Sequence, residues 1–219
     1  MKRIIIAIDG PSGAGKGTIS RTISSRLGYR HIDTGAMYRA IGWKALHDGI
    51  KLDDEPLVAA LAERSTIVVE GGVVSIDEHE IMSAIRTPEI DKAATSVARL
   101  PQVRAVLVAR QRALGAQGGV VMEGRDIGTV VFPNADVKIY LDASAEERAR
   151  RRANDPAHSG SKSGQAAVAA AIQARDTSDT TRAASPLTLA ADAVHIDTTS
   201  MPIDEVVERV LALVRAKIV

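Results

Sequence analysis

The chain of 219 residues contains no cysteine. Disulfides, thiolate-ligated zinc and thiol catalysis are therefore excluded, and a reducing compartment is the natural setting. Aromatic residues amount to 2%, with one Trp and one Phe, so platforms that stack single-stranded bases are not expected. No run approaches the roughly 18 consecutive apolar residues of a membrane span. The five apolar residues 4–8, behind Met1-Lys2-Arg3, are too few for a signal-peptide core and read as a strand. A net charge of +1 supplies no field that would drive the chain onto nucleic acid or anionic lipid. The expectation is a soluble, cytoplasmic, monomeric protein with no nucleic-acid or membrane partner.

What is present is a 45% hydrophobic chain, long enough for one substantial core and a small inserted subdomain. Its cations are lopsided, 20 Arg against 8 Lys. Arginine forks bind phosphate oxygens bidentately, although a GC-rich genome produces the same bias. Short apolar runs at 4–8, 29–32, 120–123, 137–141 and 193–196 alternate with helical patterns at 16–27, 34–47, 102–114, 144–152, 166–175 and 203–217. That alternation predicts an α/β fold with a parallel sheet flanked by helices. Between residues 56 and 99 the texture changes. Runs at 65–70 and 73–76 joined by Gly71-Gly72 predict a hairpin, followed by a helix over 89–97. We therefore expect a core of residues 1–55 and 100–219, an antiparallel insert over 56–99, and a Ser/Gly-rich lid loop over 153–166.

The strongest local signal is Gly10-Pro11-Ser12-Gly13-Ala14-Gly15-Lys16-Gly17-Thr18. It fits G-x-x-x-x-G-K between an apolar strand and a helix, with Gly17 where Ser or Thr is usual and Thr18 one place later. Glycines let successive backbone N–H groups converge on phosphates, the helix N-terminus faces the anion, and the lysine spans the transferring group. Thr18 is the candidate to hold magnesium through the nucleotide. The motif predicts nucleotide binding and says little about what becomes of the nucleotide.

Further motifs follow in order: Asp33-Thr34-Gly35-Ala36-Met37-Tyr38-Arg39, then residues 124–133 beginning Gly124-Arg125-Asp126, then Arg175-Asp176 through Arg182. Taken with the Gly-Lys-Gly-Thr ending of the phosphate loop, they resemble the bacterial cytidylate kinase family of nucleoside-monophosphate kinases over nearly the whole chain. The resemblance implies a P-loop kinase with a monophosphate-binding insert and a lid. Its reaction would move a phosphoryl group from MgATP to CMP or dCMP in pyrimidine nucleotide metabolism.

The resemblance also implies roles. Lys16, Arg125, Arg175 and Arg182 become the catalytic set. Residues 10–18 and Arg151 become the ATP site, with Arg148 and Arg152 nearby on the same helix. Thr34, Arg39, Thr95, Arg104, Arg125, Asp126, Arg175, Asp179 and Arg182 become the acceptor site. A carboxylate to accept from the cytosine amino group, with an arginine and a hydroxyl to donate, is the right chemistry for that base. Read unaided, Arg175, Asp179 and Arg182 are spaced to share a helix face, and their default is a surface ion pair. Asp33-Thr34-Gly35 alone would also suit an aspartic protease, which needs a second copy of the site. A kinase for UMP, AMP, shikimate or dephospho-coenzyme A remains open, as does a regulatory nucleotide-binding module.

Overall fold

The computed structural model describes residues 3–155 and 164–218. Five strands form a parallel sheet: β1 (Ile5–Asp9), β2 (Arg30–Asp33), β6 (Val120–Gly124), β7 (Val137–Asp142) and β8 (Val194–Asp197), in the order β2-β6-β1-β7-β8. Three further strands, β3 (Ile67–Glu70), β4 (Val73–Ile76) and β5 (His79–Glu80), form a separate antiparallel sheet. Both belong to the expected α/β class.

The apolar runs explain why the parallel sheet is buried on both faces. Along β1, Ile6 and Ile8 pack with Ile19 and Ile23 of α1 (Lys16–Leu27) and with Val206, Val207 and Val210 of α8 (Ile203–Ile218). Ala7, pointing the other way, packs with Met37 and Ile41 of α2 (Thr34–His47) and Leu107 of α5 (Pro101–Gly115). One strand thus joins two cores because successive side chains alternate across the sheet.

Register then aligns the strand ends. Asp9 lies opposite Gly124 on one side and Tyr140 on the other, and Asp33 lies opposite Glu123. The carboxyl edge of the sheet is therefore acidic at Asp9, Asp33 and Glu123, at the edge where open α/β sheets bind ligands. Asp33 caps α2 by accepting from the Ala36 amide at 3.1 Å.

Three features depart from the sequence reading. The expected insert opens on a helix, α3 (Glu55–Arg64), capped by Asp54 with Pro56 in its first turn; those start signals are visible in the sequence. It packs on α5, while α4 (Pro88–Val97), capped by the Thr87 hydroxyl, packs on α2. After β6 the chain makes a π-helical turn, Ile127–Val131, a segment to which the sequence reading assigned no element. Finally, α7 (Gln165–Thr181) extends well past residue 175, so Arg182 is the residue that closes the helix, with extended backbone. The Ser144 hydroxyl accepts from the Glu147 amide to cap α6 (Ala145–Ala153). The expected lid loop begins there, and its residues 156–163 lie outside the described residues.

Candidate active site

The phosphate loop is built by the strand it leaves and by the helix laid across it. A side chain at Gly10, whose φ is 146°, would collide with the backbone carbonyl of Leu141. A Cβ on Gly13, at φ 81°, would lie 2.9 Å from the Arg148 Cβ and carbonyl oxygen. Arg148 is itself buried: it donates to the Ser12 carbonyl at 3.1 Å, to that of Ala143 at 3.0 Å and to the Asp176 carboxylate at 2.5 Å. It therefore clamps the outside of the loop. Arg151 donates to the hydroxyl and carbonyl of Thr198 at 2.9 and 2.6 Å and to Glu147 at 2.8 Å, with its Nη1 beside Gly15. Arg150 is exposed and paired with Glu147.

Lys16 is only 7% exposed and donates to the Pro11 carbonyl at 2.7 Å. Burial first, and then the like charge of Arg125, pull its pKa well below that of a free lysine. Glu123 and Asp179 offset only part of this, so a further anion beside it would favour the charged form. Thr18 is exposed in the first turn of α1. At the preceding residue, Glu123 Oε1 would lie 3.4 Å from a Cβ placed on Gly17, and the same oxygen meets His31 Nε2 at 2.7 Å.

Beyond the loop, the remaining candidates form two ionic clusters. In the first, Asp91 of α4 accepts from Arg39 of α2 at 3.0 Å and from Arg175 of α7 at 3.2 Å, and also pairs with Arg152 of α6. In the second, Arg104 of α5 pairs with Asp126, and Arg125 donates to Asp179 at 2.8 Å. Arg182 stands between those carboxylates, 3.9 Å from Asp126 and 3.8 Å from Asp179. The Arg104 guanidinium also sits 5.4 Å from the Tyr38 ring centroid.

The electrostatics of the clusters are asymmetric. Burial, then the like charges of Arg39 and Arg125, push Arg175 down to about 10. Burial and then Arg104 lower Arg182 likewise. Both remain cations at neutral pH. Burial works against the Asp179 carboxylate, but Arg125 and Arg175 outweigh it and hold its pKa low. Among the described residues, three guanidinium groups keep a buried nitrogen without a hydrogen-bond partner: Nε of Arg104, Nε of Arg175 and Nη2 of Arg182. Buried donors are almost always satisfied in folded proteins. The hydroxyls of Ser20, Tyr38 and Thr129, the Gln111 amide nitrogen and Asp176 Oδ1 are unpartnered as well.

The family model described as cytidylate kinase matches residues 6–216 of the chain. The chain belongs to the cytidylate kinase family. The cytidylate kinase of Solibacter usitatus is 46% identical over 99% of this chain and 94% of its own length. That of Pelotomaculum thermopropionicum is 50% identical, over 96% of each chain. A gluconokinase from Sinorhizobium meliloti shares the fold with a TM-score of 0.52 at 17% identity, covering 99% of this chain and 94% of its own.

In this cytidylate kinase family member, Arg39, Arg104, Arg125, Asp126, Arg175, Asp179 and Arg182 fall into the two clusters above, and the sheet-edge carboxylate Glu123 acts on both Lys16 and Arg39. Thr34 is buried and donates to the Glu123 carbonyl at 2.7 Å. Thr95 is half-buried on α4, and its hydroxyl donates to the Asp91 carbonyl at 2.8 Å. Sequence reasoning missed three residues. Asp91 gives no sequence signal, because its importance is entirely that three distant arginines reach it. Glu123 is a carboxylate ending a buried parallel strand, next to a motif already singled out, and that was a usable sign. Asp9 ends β1, where its carboxylate accepts from the Ile127 and Gly128 amides at 2.9 and 2.7 Å and so holds the π-helical turn. Burial, opposed by those amides, pushes its pKa up to about 6.

Proposed function

We propose that the chain transfers the terminal phosphoryl group of MgATP to CMP and dCMP, giving ADP and the cytidine diphosphates. The observation that carries this reading is the trio of unpartnered, buried guanidinium nitrogens on Arg104, Arg175 and Arg182 on the same sheet edge as the phosphate loop. In-line transfer between two polyanions needs cations on both sides of the moving group.

In this reading, Lys16 and the amides of residues 10–18 hold the donor phosphates, with Arg151 at the rim of the ATP site. Arg39, Arg125 and Arg175 hold the acceptor's phosphate, and Arg182 adds charge where it accumulates in the transition state. Arg104, Asp126 and Thr95 read the base, and Asp179 takes the ribose while orienting Arg125. Thr34 contributes the backbone-anchored floor of that pocket. The Thr18 hydroxyl and the nearby Glu123 carboxylate are hard oxygen donors of the kind magnesium takes. When bound with the nucleotide, the ion would neutralise charge on the phosphates. The acceptor is already an anion, so no general base is required of the protein.

The test is ADP formation from MgATP with CMP, dCMP, UMP, AMP or shikimate, against a no-acceptor control. Stimulation by CMP and dCMP well above the others is expected. A different winning acceptor would overturn the roles of Thr95, Arg104 and Asp126, and no stimulation by any would overturn the kinase reading.

A further inference from the structure

Three arginines from three helices converge on one carboxylate. Arg39 comes from α2, Arg152 from α6 and Arg175 from α7, and Asp91 of α4 meets all three. Arg39 Nε and Arg175 Nη1 share Oδ1, at 3.0 and 3.2 Å, while Arg152 Nη2 takes Oδ2. Two oxygens that accept charge-assisted bonds from a cage of guanidinium groups present the same face as two oxygens of a phosphate. Asp33 and Glu123 also act on Arg39, Asp155 on Arg152 and Asp179 on Arg175. Asp91, however, is the carboxylate that bonds all three arginines at once, so a dianion in its place would gain more from them than a single carboxylate does.

We propose that Asp91 is a resident counter-ion of the acceptor-phosphate site, which the incoming monophosphate must displace. The inference rests on the reading that Arg39 and Arg175 take the acceptor's phosphate. It adds that Arg152, on the helix that also carries Arg151, belongs to that same site. A carboxylate tethered by its own helix competes at a high effective concentration. Singly charged or weakly held anions therefore lose to it. A nucleoside monophosphate wins because its base and ribose contacts add to the dianion's attraction. Asp91 thus sets a selectivity threshold: it makes the cage refuse free inorganic phosphate and accept the same group attached to the right nucleoside. Displacement also removes the Asp91 links from α4 to α6 and α7, leaving the Arg99 bonds to Ser178, and so couples acceptor binding to the segment that carries Thr95.

The experiment measures dissociation constants of CMP, inorganic phosphate and cytidine by calorimetry on the full chain, for the unaltered protein, Asp91→Asn and Asp91→Glu. Asp91→Asn should bind inorganic phosphate and CMP about tenfold more tightly, leave cytidine binding where it was, and narrow the preference for CMP over phosphate. Asp91→Glu, which restores a carboxylate, should return toward the unaltered values. A folded Asp91→Asn protein that binds phosphate and CMP no more tightly than the unaltered chain overturns the proposal. Removing the Asp91 charge leaves three arginines facing one another, a repulsion that works against folding of that variant. A crystal structure of the unaltered protein with CMP then decides. Asp91 should have parted from Arg39 and Arg175, with the phosphate in its place; a carboxylate still bonded to both overturns the proposal. If CMP is phosphorylated but either result is adverse, only this inference falls. If CMP is not an acceptor in the ADP assay, it is the underlying reading that falls.

Discussion

The two ends of the site are built by opposite strategies. On the proposed reading, the donor end is one continuous stretch, residues 10–18, running from the end of β1 into the first turn of α1, with backbone groups as most of its working parts. The acceptor end is assembled from α2, α4, α5, the turn after β6 and α7, with arginines and carboxylates paired across the gaps. Backbone amides cannot be mispaired by a rotamer change, so the donor end is preorganised by the chain's own path. Long charged side chains would scatter, and the acceptor end stays ordered because each arginine has a carboxylate to hold until the ligand arrives. The lesson is that a site for one anion can be pre-shaped by glycine and helix geometry, whereas a site for a particular nucleotide requires a network of counter-ions.

The comparison can be broken most forcefully at Lys16. Replacing Lys16 by Met should lower turnover about ten-thousandfold, in the range of charged groups that stabilise phosphoryl transfer. The melting temperature should be unchanged or higher, because burial already disfavours the ammonium in the unliganded protein. A large loss of stability would mean that Lys16 is a structural part of the loop and not a group held in reserve for phosphate.

At the acceptor end, Arg182→Ala should cost about a thousandfold in turnover. Asp126 and Asp179 keep their nearer partners, Arg104 and Arg125. What is lost is the bond from Arg182 Nε to the Ser185 carbonyl at 2.7 Å, so the stability cost should stay near about 1–2 kcal/mol. Parallel activity assays and chemical denaturation check this. If activity fell only in proportion to the unfolded fraction, Arg182 would be part of the scaffold.

The smallest effect is expected where the two ends are joined. Asp9 leaves the donor strand and ties the turn that carries Arg125 and Asp126. Its folded pKa, about 6 against a usual 3.8, means that the folded state holds the proton more tightly than the unfolded chain. The stability associated with its protonated form is fully present below pH 4 and is lost as the pH rises through 6. The difference in unfolding free energy between the unaltered protein and Asp9→Asn should therefore drift against the unaltered protein by about 2–3 kcal/mol from pH 4 to pH 7. Denaturant titrations at those pH values read the drift. A flat difference would show that the two amide bonds fully compensate the buried charge.

The parts legible in the sequence were those with local causes. Apolar runs identified the strands, Gly10 to Lys16 the phosphate loop, and the capping box at Ser144 the start of α6. Misreadings also had local causes, as at α3, where Asp54 and Pro56 announced a helix that the surrounding hairpin texture obscured. The π-helical turn was not legible, because its stabilising carboxylate is Asp9, more than a hundred residues earlier. Sequence separation hid Asp91 too, since its arginine partners lie 52, 61 and 84 residues away: nothing beside it in the chain distinguishes it from the solvent-exposed acid of any helix's first turn.

By itself, then, the sequence determined the strand and helix types, the phosphate loop and the inventory of arginines, because these depend on the chemistry of near neighbours. Only the tertiary structure decided which carboxylate each arginine holds. Arg148 became a clamp on the Ser12 carbonyl, Arg151 a partner of Thr198, and Arg152 a partner of Asp91, although Arg151 and Arg152 are adjacent in the chain. Neighbouring residues on a helix point about 100° apart. Which partner each of them meets is therefore set by the packing of the helices around them.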